Sequence, residues 1–236
     1  MQPGQEPQQP SKIRLNKFLA ERLGISRRQA DDLIAAGKVT VSDKTATLGD
    51  RIDKNDKVCY NKKIVPFEVS YTYLALNKPT NYVCSRKRQG DTPTIYELLP
   101  PELQDLKTVG RLDKDSSGLI LLTNDGDFAF SMTHPKFAKE KLYIVELSRA
   151  LEPLHQQMIA DFGIDLPDGK SQMGLARLDD TRKKWQVSIS EGRNRQIRRT
   201  FAAVGYEVVS LHRIQFGKYQ LAGLKPGEFV KVDKSI

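Results

Sequence analysis

The sequence is poor in cysteine and free of long apolar runs. Only Cys59 and Cys84 occur in 236 residues, and they lack metal-ligand spacing, so a disulfide scaffold is excluded and no metal site is expected. No uninterrupted apolar stretch approaches the roughly 20 residues that a membrane helix needs, so no membrane partner is expected. The opening Met-Gln-Pro-Gly-Gln-Glu-Pro-Gln-Gln-Pro has neither a basic nor an apolar stretch, which argues against a secretory signal and for a cytoplasmic protein. No internal repeat of fixed period is present, and no large apolar stripe stands out, so a monomer is the default. Acidic residues are also in deficit, 29 Asp and Glu against 38 Lys and Arg, leaving a net charge of +9. That excess favours a polyanionic partner, nucleic acid before membrane.

Residues 1–11 have almost nothing to bury and read as a disordered leader. Leu15, Phe18 and Leu19 then fall at helical spacing, in a short helix that ends near Gly24. Ser26 with Gln29 predicts a capping box for a second helix, and Gly37 predicts its left-handed exit into a strand over 38–41. With a further strand over 57–60, this makes a small unit of residues 12–60, joined through a linker over 61–70 to a larger unit over 71–236. The basic residues Lys12, Arg14, Arg27, Arg28 and Lys38 lie at its helix starts and at the helix-to-strand corner, where phosphate contacts and a merely solvated face are equally open.

Beyond Tyr71 the pattern is strand-rich. Strands are predicted over 71–76, 119–122, 142–147, 185–189, 208–211 and 229–232, with helices around 127–133, 153–161 and 196–204. This is an α+β arrangement, too irregular for a doubly wound parallel sheet.

The densest chemistry lies in Gly110-Arg111-Leu112-Asp113-Lys114-Asp115-Ser116-Ser117-Gly118, which runs straight into Leu119-Ile120-Leu121-Leu122. Extended backbone sends Arg111 and Asp113 to one side and Leu112 to the other. An arginine beside a partly buried carboxylate keeps it ionised, as a nucleophilic carboxylate must be. A calcium loop competes, but its twelfth place holds Asn124 rather than a bidentate Glu. A purely structural loop stays open as well.

Two other segments bear on the choice. In Lys141-Leu142-Tyr143-Ile144-Val145-Glu146-Leu147 the tyrosine shares a strand face with Val145 and Leu147. In Glu191-Gly192-Arg193-Asn194-Arg195-Gln196-Ile197-Arg198-Arg199, Asn194 is placed to cap a helix with Ile197, Phe201 and Val204 inward. Arg195 and Arg199 then face outward, while Arg198 lies about 100° round from Ile197, at the edge of the buried stripe. Four arginines around one helix start favour an anion.

Two resemblances give these pieces a common meaning. Ser-Arg-Arg-Gln-Ala followed by Ile-Ala-Ala-Gly-Lys-Val-Thr-Val is similar to the αL-type RNA-binding domain of a small-subunit ribosomal protein and several RNA-modifying enzymes. Gly-Arg-Leu-Asp with Asp-Ser-Ser-Gly-Leu, Lys141-Leu142-Tyr143, Gly192 to Arg199 and Asn77-Lys78-Pro79 together resemble the RsuA-like family of ribosomal RNA pseudouridine synthases.

The resemblance implies a mixed, mainly antiparallel sheet flanked by helices. It also implies isomerisation of uridine to pseudouridine in ribosomal RNA by base flipping, without metal or cofactor. Asp113 is then the catalytic carboxylate, acting on the sugar. Tyr143 stacks on the uracil and takes part in removing the C5 proton. Arg198 is the expected ion-pair partner of Asp113, with Arg195 and Arg193 as alternatives, and Arg111 helps to fill the space left by the flipped base. Arg193, Arg195 and Arg199 join the RNA-binding set. The Asn-Arg-Gln-Ile-Arg-Arg run is slightly more similar to the large-subunit branch, whereas the short overall form also fits the small-subunit branch. A noncatalytic RNA-binding or ribosome-assembly protein is the alternative, and it would have no use for a negative charge set among these basic residues.

Overall fold

A computed structural model describes residues 12–235, and the leader expected over 1–11 lies outside the described residues. The chain forms two compact units that meet in sequence between Tyr71 and Thr72. None of the described helices is long and apolar enough to cross a membrane.

The N-terminal unit runs β1 (Ile13–Arg14), α1 (Leu15–Arg22), α2 (Arg27–Ala35), β2 (Val39–Val41), β3 (Lys44–Thr45), β4 (Arg51–Ile52), β5 (Val58–Tyr60) and β6 (Lys63–Ile64). Leu15, Phe18 and Leu19 are fully buried, the stripe that their spacing requires. The expected capping box is formed: Ser26 Oγ accepts from the Gln29 amide at 3.1 Å, and Gln29 Oε1 accepts from the Ser26 amide at 2.9 Å. Gly37, at φ +66°, turns the chain out of α2 into β2. The small sheet is ordered β3-β2-β5-β6.

The linker expected over 61–70 does not begin where the sequence pattern placed it. β6 pairs with β5, Val65 is buried, and the Phe67 ring lies 4.5 Å from that of Phe18. The residues themselves supply the reason, since Lys63 and Ile64 complete the sheet while Val65 and Phe67 close the core.

The larger unit runs β7 (Tyr73–Lys78), β8 (Lys107–Val109), β9 (Ser117–Thr123), α3 (Gly126–Thr133), β10 (Lys141–Leu147), α4 (Pro153–Gln157), β11 (Ile164–Leu166), β12 (Gly169–Ser171), β13 (Gly174–Arg177), β14 (Lys184–Ile189), α5 (Gln196–Ala203), β15 (Val208–Phe216), β16 (Tyr219–Gln220) and β17 (Phe229–Lys231). Its main sheet is ordered β13-β14-β10-β15-β9-β7-β17, with β16 on β15 and β8 on β9. The pairings are antiparallel except β15 against β9, so the α+β class and the mixed, mainly antiparallel sheet are both observed.

Apolar residues cover both faces of this sheet. Ile120 and Leu122 join a core with Trp185 and Phe201, while Leu119 and Leu121 join one with Phe128 and Met132. That two-sided burial explains the unbroken apolar run of β9. Where β15 runs parallel to β9, Gly118 has φ +103°, and a Cβ there would stand 2.2 Å from the Arg213 carbonyl oxygen. Only glycine admits this approach.

Some elements depart from the sequence pattern. β15 continues to Phe216 rather than stopping at Leu211, and Met158–Phe162 follow α4 as a π-helical turn. Asn194 does not cap α5. The capping position is Arg195, in the left-handed region at φ 46° and with no side-chain capping bond.

Candidate active site

The loop between β8 and β9 is held by contacts from outside and within. The Lys78 ammonium, fully buried at the end of β7, donates to the carbonyls of Ser116 at 2.6 Å and Pro79 at 2.9 Å. The Asn81 amide donates to the Lys114 carbonyl at 2.8 Å, and the Leu112 amide to Cys84 Sγ at 3.5 Å. Within the loop, the Ser116 amide donates to the Asp113 carbonyl at 3.1 Å. Burial lowers Lys78 to about 8, against the opposing pull of Cys84, Asp113 and Asp115, and raises the Cys84 thiol. Leu112 is buried, and it lines the cleft together with Arg111 and Asp113.

That cleft has a volume of about 460 Å³ and is walled by the Asp113 loop, the start of β10, the segment 189–197 and the inward residues of β15. Arg111, Asp113, Lys141, Tyr143, Arg193 and Arg195 all line it. The structure therefore brings together most of the residues singled out in the larger unit. Lys12, Arg14, Arg27, Arg28 and Lys38 belong to the N-terminal unit, where all five are exposed.

Of the three arginines expected as partners for Asp113, Arg195 is the one that stands beside it. Arg195 Nη1 is 3.6 Å from Asp113 Oδ2, while its two terminal nitrogens donate to both Asp115 oxygens at 3.0 and 2.9 Å. Arg198 does not reach Asp113. Its Nε stands 3.2 Å from Asp115 Oδ2, and it donates to the carbonyls of Asp115 at 2.8 Å and Val208 at 2.6 Å. The reason lies in α5: with the helix beginning only at Gln196, Arg198 turns toward the start of β15 and the Arg195 guanidinium is left facing the carboxylates. Hydrogen bonding from Arg195, reinforced by the charge of Arg198, holds Asp115 below the usual carboxylate range.

Arg193 and Arg199 are also committed internally. Both donate to Asp168 in the β11–β12 turn, at 2.9 Å and at 3.0 and 2.7 Å, and Arg193 adds the carbonyls of Gly169 and Lys170. Their guanidinium groups clamp this hairpin, and Arg193 also lines the cleft. The calcium reading fails on geometry as well. The seven residues of β9 carry Asn124 away from the loop by about 3.3 Å per residue, and guanidinium groups already face both loop carboxylates.

One site residue escaped the sequence reading. Arg213 is 3 % exposed, pairs across strands with Tyr143 and lines the cleft. Its Nε donates to the Leu119 carbonyl at 2.7 Å, its Nη1 stands 3.5 Å from the Tyr143 hydroxyl, and its guanidinium carbon is 4.9 Å from the Phe216 ring centroid. The available signal was parity, since a strand prolonged past Leu211 turns Arg213 inward beside it. Lys141 ends in the same region, donating to the carbonyls of Lys139 and Glu191. Burial, with the Arg213 charge adding to it, lowers Lys141 to about 8.

The comparisons with known proteins agree with this architecture. A family model described as RNA pseudouridylate synthase matches residues 72–203, and an S4 domain model matches residues 13–65. The ribosomal small subunit pseudouridine synthase A of Pasteurella multocida (strain Pm70) is 39% identical over 223 residues, covering 92% of this chain and 94% of that protein. The ribosomal large subunit pseudouridine synthase B of Bacillus subtilis (strain 168) is 36% identical over 221 residues, covering 91% and 90%. A crystal structure of a pseudouridylate synthase aligns with TM-score 0.67 at 36% identity, covering 94% of this chain and 96% of that one. With its cleft built at the junction of β9, β10 and β15 and an S4 domain ahead of it, the chain belongs to the RNA pseudouridylate synthase family.

Proposed function

We propose that this protein isomerises uridine to pseudouridine in ribosomal RNA, with Asp113 as the catalytic carboxylate. The observation that carries the reading is that Asp113, Tyr143 and Arg195 line one cleft in a chain of this family. The named relatives act on small- or large-subunit RNA, so the proposal covers ribosomal RNA as a class. In a duplex or a stacked loop, C1′ and C5 of the target are hidden, so the nucleotide must be everted, at a cost of about a few kcal/mol. Phosphate contacts from the exposed cations Arg111, Lys12, Arg14, Arg27, Arg28 and Lys38 offset that cost.

In the proposed reaction the bond from C1′ to N1 breaks, the uracil turns, and C1′ bonds to C5. The C5 proton is removed and N1 gains one, so the atoms balance without a co-substrate. Asp113 answers the electron deficiency at C1′ as N1 leaves, with the Arg195 guanidinium 3.6 Å from its carboxylate. Tyr143 packs against the uracil and takes the C5 proton. The phenol can take that proton only after releasing its own to solvent, and Arg213, donating toward the phenol oxygen, favours the negative charge held there until the C5 proton arrives. Arg198 positions the loop by tying its Asp115 carbonyl to the start of β15.

The test is Asp113→Asn, assayed by mapping pseudouridine in small- and large-subunit ribosomal RNA transcripts. Isomerisation is expected to vanish while RNA binding stays near wild type. Full turnover by the variant would overturn the assignment, and binding without turnover by the wild type on every transcript would favour a noncatalytic RNA-binding protein.

A further inference from the structure

We propose that Phe130, His134 and Phe137 form a stacking platform for unpaired RNA bases next to the nucleotide held in the cleft, an inference that rests on reading the cleft as an RNA site. Phe130, on α3, is 47 % exposed and Phe137 is 41 % exposed, and His134 between them is exposed as well. The three rings contact one another rather than a core. Phe130 lies 4.6 Å from His134 and 5.8 Å from Phe137 between centroids, and His134 lies 6.4 Å from Phe137.

The segment is built to hold them there. Asp125 caps α3 by accepting from the amides of Asp127 and Phe128 at 3.0 Å each. The Phe137 amide closes a turn on the His134 carbonyl at 3.1 Å. His134 Nδ1 accepts from the Lys136 amide at 3.2 Å, which fixes the imidazole plane.

Charge and continuity identify the occupant. The Lys136 ammonium lies over the rings of Phe130 and Phe137, 5.3 and 4.7 Å from their centroids, which places a cation for phosphate within the aromatic cluster itself. His134 and Pro135 also line the cleft that holds Asp113 and Tyr143, so the platform starts at its mouth. Aromatic faces interleaved with a cation suit single-stranded RNA of any sequence, because each base offers a π face. They do not suit a duplex, whose bases are already stacked.

The experiment compares the full chain with Phe130→Ala/Phe137→Ala and Phe130→Tyr/Phe137→Tyr. The probes are a short single-stranded oligouridylate and an RNA duplex of equal length, read by fluorescence anisotropy. The alanine pair is expected to lose about tenfold or more in affinity for the single strand, the equivalent of one stacked base. It should keep its duplex affinity, and the tyrosine pair should retain both. Unchanged single-strand affinity would overturn the platform, also where these rings are found to hold a protein partner or a second copy. Equal losses on both RNAs would overturn it too, as a general effect of charge or folding. Pseudouridine formation by the wild type, measured on ribosomal RNA transcripts in parallel, separates this outcome from failure of the catalytic reading.

Discussion

Gly118→Ala probes the seam on which the cleft is built. The added Cβ would stand 2.2 Å from the Arg213 carbonyl oxygen and 2.5 Å from its amide nitrogen. Both are backbone atoms, so β15 itself must move away from β9. A non-glycine residue held at φ +103° costs about 1–3 kcal/mol, and prising the strands apart adds a similar amount. The combined loss, about 4 kcal/mol, is a large part of the stability of any domain. With a urea dependence of roughly 2 kcal/mol per molar, the midpoint should fall by about 2 M. The single tryptophan, Trp185, is fully buried in this unit and reports its unfolding by fluorescence. Gly90→Ala is the control, since it also has positive φ but nothing within 4 Å of the new Cβ; it should lose only about 1–2 kcal/mol. Moving β15 also shifts Arg213 relative to the Tyr143 hydroxyl, so turnover should fall at urea concentrations where the variant is still folded. A Gly118→Ala protein with the midpoint of the Gly90→Ala control and full activity would refute this reasoning.

Further predictions concern Arg195, Arg198 and Lys141. Arg195→Ala should slow single-turnover isomerisation by about tenfold to a hundredfold through loss of a charge-assisted contact. Arg198→Ala should act first on stability, lowering the urea midpoint; the reverse pattern in the two variants would show that the ion pairs are misassigned. Because burial lowers Lys141 to about 8, its charge is present below that pH and lost above it. RNA affinity should therefore weaken as pH rises through 8, and Lys141→Arg, which stays charged, should remove the weakening. An identical pH profile in that variant would exclude Lys141 from the RNA-facing charge.

Local signals were legible wherever local bonds decide the structure. The Ser26–Gln29 box and the exit at Gly37 depend only on neighbouring residues, and both are present. The unbroken run of β9 announced a strand, although not that both of its faces are covered. What the sequence concealed depends on partners far along the chain. Arg193 and Arg199 looked free because Asp168 lies more than twenty residues earlier. Arg213 was missed because the apolar alternation weakens after Leu211, while pairing with β10 and β9 carries β15 on to Phe216. Asn194 had suitable chemistry for a cap, but the chain bends one residue later, at Arg195. Arg198 was placed correctly at the edge of the helix and assigned to the wrong carboxylate, two residues from the one it meets.

The Asp168 clamp changes how the electrostatics of this protein should be counted. Two of the four guanidinium groups around α5 share the Asp168 carboxylate, and Arg193 also meets Glu191 at 3.1 Å, before any phosphate arrives. The field that steers RNA toward the cleft is accordingly weaker, and less dependent on ionic strength, than the arginine content of the segment implies. A lesion at Asp168 would unmask Arg199 and leave Arg193 with Glu191 as its remaining carboxylate. The protein would then grip polyanions more tightly and less selectively, while losing the hairpin that those same cations hold in place.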